Sequence, residues 1–74
     1  MKRLPRGLSG RQVRRALERV GFSLRRHKGS HMVLRREEPF AQVVVPDHRS
    51  VDTGTLASIL DAAGISVDHF SDLL

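Results

Sequence analysis

Several residue types are missing from this chain of 74 residues, and each absence limits what the protein can do. There is no Cys, so neither a disulfide framework nor a thiolate metal site is available. There is no Trp or Tyr and there are only three Phe, which disfavours the aromatic platforms on which single-stranded nucleic acids stack. The chain also lacks a P-loop, a dinucleotide fingerprint and a nucleophile elbow. The enzymes that depend on these motifs are therefore disfavoured.

Long hydrophobic runs are absent too. No uncharged segment approaches the length of a membrane span, and the basic N-terminal residues are not followed by an apolar core. We therefore expect no membrane segment and no signal peptide, and a cytoplasmic protein. With 39% hydrophobic and 28% charged residues, the composition predicts one small globular domain over residues 1–74.

Charge is present in excess and is unevenly distributed. Residues 1–38 hold 12 of the 13 Lys and Arg residues but only three of the eight acids, which gives a formal charge of +9. Residues 39–74 carry −4. A basic half of this kind is typical of a surface that contacts nucleic acid, although a solvated arginine-rich surface produces the same count.

The first element is predicted to be a helix that follows a loose basic arm over residues 1–7. Ser9 and Gln12 have the spacing of a capping box, and Leu8 and Val13 that of a hydrophobic staple. Apolar residues then recur at helical spacing as far as Val20. We expect Gly21 to end this helix as its C′ residue.

Three strands are predicted next, over residues 22–28, 30–36 and 41–45, with Pro46 ending the third. A four-residue turn over residues 27–30, with Gly29 at a positive φ, places Arg26 opposite His31. In that register, one sheet face is shared by Phe22, Leu24, Arg26, His31 and Val33.

A second helix is predicted to begin near Thr53 and to end at Gly64, with Ser66 capping a short C-terminal helical appendage over residues 66–74. The order is α-β-β-β-α, which predicts an α+β domain with a three-stranded antiparallel sheet and two helices on one face. This is the layout of a double-stranded-RNA-binding domain.

The candidate chemistry lies in the predicted hairpin turn. His31 has an imidazole that can exchange a proton near neutral pH, and Arg26, Lys28, Gly29 and Ser30 are its neighbours in sequence. Such a group beside a bound RNA phosphate can act on the 2′-hydroxyl as a general acid or base, and cations there can neutralise the phosphate. An exposed turn histidine without a role is the plainer interpretation.

The histidines outside this turn are weaker candidates. His48, in the loop before the second helix, is a candidate second proton donor or phosphate contact, or else a loop residue bonded to Asp47 or Asp52. The histidine spacings match no common metal-ligand pattern, so we expect neither a metal site nor a cofactor.

Six short blocks of the chain resemble HicA-type mRNA interferase toxins, over about residues 8–65. They are Leu8-Ser9-Gly10, Gly21-Phe22, Lys28-Gly29-Ser30-His31, Val45-Pro46-Asp47-His48, Gly54-Thr55-Leu56, and Ile59-Leu60 through Ala63-Gly64-Ile65. Each block alone is weak evidence, but their order and spacing together are specific.

The resemblance implies a ribonuclease that acts on mRNA, inhibits translation and is masked by a HicB antitoxin. It also implies that His31 is the catalytic residue and that Lys28, Gly29 and Ser30 shape the site. Family members often carry basic residues at the start of the second helix, where this chain has Asp52, Ala57 and Ser58. We therefore expect the first helix, through residues such as Arg11 and Arg15, and the hairpin to supply most RNA contacts.

Two further interpretations remain open from the residues alone. A non-catalytic RNA-binding module of the same fold accounts for the basic half equally well. So does a protein-interaction domain whose arginines meet an acidic partner.

Overall fold

The computed structural model describes residues 3–74, so two residues of the predicted N-terminal arm lie outside the described part. Three helices and three strands follow one another along the chain. Their bounds are α1 Gly10–Glu18, β1 Ser23–Lys28, β2 His31–Glu37, β3 Phe40–Pro46, α2 Thr53–Ala63 and α3 Val67–Leu73.

Local sequence signals fix most of the helix ends, but the predicted end of the first helix at Gly21 is wrong, because α1 ends at Glu18 with Arg19 as its C-cap. Ser9 and Gln12 form the predicted capping box at the start of α1, each side chain bonding the other's backbone N–H. Gly64 ends α2 with φ 72°, a left-handed conformation that glycine adopts without steric cost. Ser66 caps α3 as predicted, and Asp52 caps α2.

The sheet is antiparallel in the order β1-β2-β3, and its first hairpin is tighter than predicted. Lys28 pairs with His31, which leaves Gly29 and Ser30 as a two-residue turn. Gly29 does take the expected positive φ, at 58°. The predicted pairing of Arg26 with His31 is wrong, because Arg26 lies opposite Val33.

The predicted set of residues on one sheet face is also wrong, and an irregularity in β1 is the reason. Leu24 pairs with Leu34 and Arg26 pairs with Val33, so Arg25 is an extra residue that forms a β-bulge. The bulge lets Leu24 face the buried side while Arg26 faces the opposite side. Strict alternation along β1 would have placed both on the same side.

The third strand extends one residue beyond its predicted end. Pro46 pairs with His31 at the end of β3, which is an edge strand. A proline is tolerated there because a missing N–H at an edge breaks no ladder with a further strand.

One hydrophobic core lies between the sheet and the helices. Met32 and Leu34 of β2 contribute to it, and in β3 buried and exposed residues alternate as the pleat requires. The predicted α2 stripe of Leu56, Ile59, Leu60 and Ala63 is buried, which confirms it. The C-terminal helical segment adds Phe70, whose side chain is fully buried.

The result is an α+β fold with an open three-stranded sheet, consistent with the double-stranded-RNA-binding-domain layout that was predicted. The face of the sheet opposite the core, here called the open face, carries His31, Val33 and Val44. Among residues 3–74, no helix is both long enough and apolar enough to cross a membrane.

Candidate functional site

His31 lies at the first position of β2, directly after the turn, and it is exposed. Its cross-strand neighbours are Lys28 in β1 and Pro46 in β3. Residues that pair directly across an antiparallel ladder project to the same side of the sheet. The imidazole therefore stands on the open face with the Lys28 side chain beside it.

A shallow depression of about 660 Å³ surrounds this position on the open face. It brings together all five residues that the sequence placed in the hairpin site, with Val33 and Val44 as its apolar floor. The hairpin residues that line it are Arg26, Lys28, Gly29, Ser30 and His31.

A second depression of about 280 Å³ continues from the first, because both are lined by His31 and Val44. It places His48 in the same surface feature as His31. We call the two depressions together the trough. Besides the shared residues, its second half is lined by Pro46, His48, Ser50, Val51, Asp52 and Thr55.

The two halves of the trough differ in charge. The hairpin half carries Arg26 and Lys28, whereas the second half carries Asp52. Hydrogen bonds from the Thr55 backbone N–H and then from the Thr55 hydroxyl hold the pKa of the Asp52 carboxyl below its usual value. Desolvation opposes this shift, and the Gly54 N–H makes the smallest contribution to it. Asp52 is therefore a carboxylate at neutral pH, and phosphate is favoured at the hairpin end.

Arg11 and Arg15 do not reach the trough. They line a separate cleft of about 350 Å³ beside α1, together with Arg14 and His27. His27 pairs with Met32, whose side chain is buried under the helices, so His27 projects to the helix side of β1. The two groups of cations thus lie on opposite sides of the sheet.

Asp47 was not a predicted site residue, although its side chain contacts both α1 and β1. The Asp47 carboxylate faces Arg11, with 3.4 Å between Oδ1 and Nε, and His27, with 3.5 Å between Oδ2 and Nε2. The sequence had suggested Asp47 or Asp52 as a partner for His48, but these acids contact other groups. Since Arg11 is 36 positions away, no local spacing signals the contact.

The loop that carries His48 is fastened to the start of α1. Gly10 donates its N–H to the His48 carbonyl oxygen at 2.9 Å, and Val51 donates to the Leu8 carbonyl oxygen at 2.7 Å. A side chain at position 10 would overlap the Pro46 carbonyl oxygen, so this close approach needs a glycine. The second half of the trough is therefore built on a rigid helix end.

The residues of the trough suit acid–base chemistry on a phosphodiester. Two imidazoles provide proton-exchanging groups, and Lys28 and Arg26 provide charge for a phosphate. Among residues 3–74, no group of three or more His, Asp or Glu side chains is placed to hold a metal ion.

Fold and site together define a small α+β protein that presents a basic, histidine-bearing hairpin on an uncovered sheet face. The family model for the HicA toxin of bacterial toxin–antitoxin systems matches residues 10–65, which is most of the chain. The protein belongs to the HicA toxin family, and membership implies an antitoxin partner and an RNA target. A comparison with curated proteins gives no significant match.

Proposed function

We propose that this protein is a metal-independent endoribonuclease that cleaves mRNA in the cytoplasm and thereby inhibits translation. It is the toxin of a HicA–HicB pair, and His31 is its catalytic residue. The observation that carries the proposal is the exposed His31 imidazole, which lies between Lys28 and Pro46 on the open face of a chain that belongs to this family.

The reaction uses the nucleophile that RNA itself contains. His31 takes the proton from the ribose 2′-hydroxyl, whose oxygen attacks phosphorus while the bond to the 5′-oxygen of the next nucleotide breaks. His48, in the same trough, donates a proton to the leaving oxygen, or the two histidines exchange these roles. General acid–base catalysis of this kind contributes roughly 10²- to 10⁴-fold in rate.

The hairpin cations stabilise the transition state. The pentacoordinate phosphorus centre carries more negative charge on its oxygens than the starting diester, so cations placed beside it accelerate the reaction. Lys28 and Arg26 are in the half of the trough that also contains His31. The exposed Gly29-Ser30 turn leaves room for a ribose and a phosphate beside them.

RNA binding extends beyond the trough. Arg11 and Arg15 line the cleft on the other side of β1, where they contact phosphates farther along a bound RNA. Such contacts are read through charge and backbone shape and are weakened by salt. A HicB-type antitoxin inhibits the toxin by covering the trough.

Replacement of His31 tests the proposal. A His31→Ala variant expressed without an antitoxin should fail to arrest growth, and the purified variant should bind RNA but not cleave it. His69→Ala is the matched control, because His69 is an exposed histidine on α3, away from the trough lining. Cleavage that persists in His31→Ala at the wild-type rate would exclude the catalytic role.

A non-catalytic RNA-binding module is the second candidate. It is favoured by the shallow, exposed form of the trough, which contrasts with the closed pockets of many enzymes. Wild-type protein that shifts RNA in a gel but yields no cleavage products would establish this second function.

A further inference from the structure

We infer that Asp47 is a positioning residue that holds the His31 hairpin in its active arrangement. The inference rests on the proposed function of His31. In this inference Asp47 does not contact RNA. It acts through its contacts with the turn and with β1.

The backbone of Asp47 makes the first connection. Its N–H donates to the Ser30 carbonyl oxygen at 2.6 Å. Ser30 is the last residue of the turn and directly precedes His31, so this bond anchors the end of the hairpin to the segment after β3. The bond extends the pairing of β2 with β3 one step past the His31–Pro46 pair, as far as the turn itself.

The Asp47 carboxylate makes the second connection, to two other elements. Oδ2 lies 3.5 Å from His27 Nε2 in β1, and Oδ1 lies 3.4 Å from Arg11 Nε in α1. The Asp47 side chain is only 20% exposed, which limits the number of rotamers available to it. One carboxylate therefore joins the hairpin, the first helix and the loop after β3.

These contacts act on the hairpin from the side opposite the trough. His27 projects to the helix side, while its neighbour Lys28 and the paired His31 project to the open face. A strand held on its helix side cannot twist without moving the side chains on its open face. Asp47 directly precedes His48, whose backbone carbonyl oxygen accepts from the Gly10 N–H, so one segment carries both residues.

Charge distinguishes this role from RNA binding. Asp47 is an acid among cations, so its removal lowers the electrostatic repulsion of an approaching phosphate. The affinity for RNA should then stay the same or increase when Asp47 is replaced. If Asp47 is a positioning residue, its replacement should lower kcat without raising KM. Replacement of a residue that binds phosphate would instead raise KM.

The experiment compares Asp47→Ala with Asp61→Ala. Both substitutions remove one carboxylate, but Asp61 is exposed on α2 and lines no part of the trough. We expect Asp47→Ala to lower kcat by up to about 100-fold, with KM unchanged or lower, because small misplacements of a catalytic group have effects of this size. Asp61→Ala should keep the wild-type kcat, and Asp47→Asn, which retains an acceptor oxygen, should recover part of the loss.

A structural readout accompanies the kinetics. Asp47→Ala keeps the backbone bond to Ser30 and removes only the contacts of the carboxylate. Amide hydrogen exchange should therefore accelerate in β1 around His27, while amides near Leu34 in the centre of the sheet keep their protection. A wild-type kcat together with wild-type protection of the hairpin would overturn the inference, as would a raised KM at unchanged kcat. If the wild-type protein does not cleave RNA, the proposed function fails, and the exchange measurement alone decides the role of Asp47.

Discussion

His27 and His31 are four positions apart in sequence, yet their side chains lie on opposite sides of the sheet. The two-residue turn pairs His31 with Lys28, and the alternation within β1 then sends His27 to the helix side. His31 is exposed on the open face, and His27 lies with its Nε2 3.5 Å from Asp47 Oδ2. The residue types of the turn could be predicted to form a site, but the separation of the two imidazoles depends on the turn length.

Asp52 shows how a residue that departs from the family pattern is used. The carboxylate caps α2, accepting from the Thr55 N–H at 2.8 Å and from the Thr55 hydroxyl at 3.0 Å. These bonds favour the ionised form over the protonated one, which is why the pKa of Asp52 is lowered from the usual 3.8. A carboxylate at the N-terminus of a helix also interacts favourably with the helix dipole, whereas a basic residue there interacts unfavourably.

This cap predicts a pH-dependent difference in stability between wild type and Asp52→Asn. A carboxyl whose pKa is lowered by folding stabilises the native state fully above its unfolded pKa, and this contribution disappears as the pH falls through the folded value. The advantage of wild type in urea unfolding should therefore be constant near neutral pH and shrink below about pH 4. The effect should be small and sensitive to salt, because the group is exposed.

The control for this measurement is Asp61→Asn, which removes an exposed acid of the same helix that is not its N-cap. Its stability difference from wild type should not follow the same acid profile. A difference for Asp52→Asn that stays constant from pH 7 to pH 3, or grows in acid, would contradict the assigned role of the cap.

At the scale of the elements, the helices were more predictable than the sheet. Helix caps and apolar stripes are local signals, and Ser9, Gly64 and Ser66 act as predicted. Register is a property of two strands at once, and the bulge at Arg25 has no clear signature in the sequence. The predicted face of the sheet was wrong for that reason, although His31, Val33 and Arg26 do share the open face.

Packing between α1 and the loop after β3 gives a prediction about Gly10. Ala is normally favoured over Gly within a helix, but here the added methyl group would collide with the Pro46 carbonyl oxygen. We expect Gly10→Ala to lower the free energy of unfolding by about 1–3 kcal/mol, because backbone must move to relieve the overlap. Urea unfolding monitored by circular dichroism measures this difference.

Ser58→Ala is a suitable comparison, since Ser58 is exposed in α2 and the change should alter the free energy of unfolding by less than about 0.5 kcal/mol. If Gly10→Ala were as stable as Ser58→Ala, the close approach of α1 to β3 would not be the reason for glycine at this position.

At the scale of the whole molecule, the positive charge is divided among different tasks. Arg36 donates to the Pro39 and Ala63 carbonyl oxygens at 2.9 and 3.1 Å and lies over the Phe22 ring, so it joins the sheet to the end of α2. Arg35 contacts Gln42, at the end of the sheet away from the turn. The basic half predicted from composition is therefore partly structural. Other cations of the described chain form two basic surfaces, the hairpin half of the trough and the cleft beside α1.

Those two surfaces lie on either side of β1, which runs along the edge of the sheet. The sequence grouped Arg11 and Arg15 with the hairpin residues because all belong to the basic half. The structure separates them, since helix packing and strand alternation are not visible in a charge count. What composition did predict is the concentration of Lys and Arg in residues 1–38, which contain α1, β1 and β2.

The most direct test of the account concerns the ends of cleaved RNA. Purified protein should cleave RNA in the presence of a metal chelator and leave a 2′,3′-cyclic phosphate and a 5′-hydroxyl, because the 2′-oxygen is the nucleophile in the proposed reaction. Products with a 3′-hydroxyl and a 5′-phosphate, or cleavage that requires an added divalent cation, would contradict catalysis by His31.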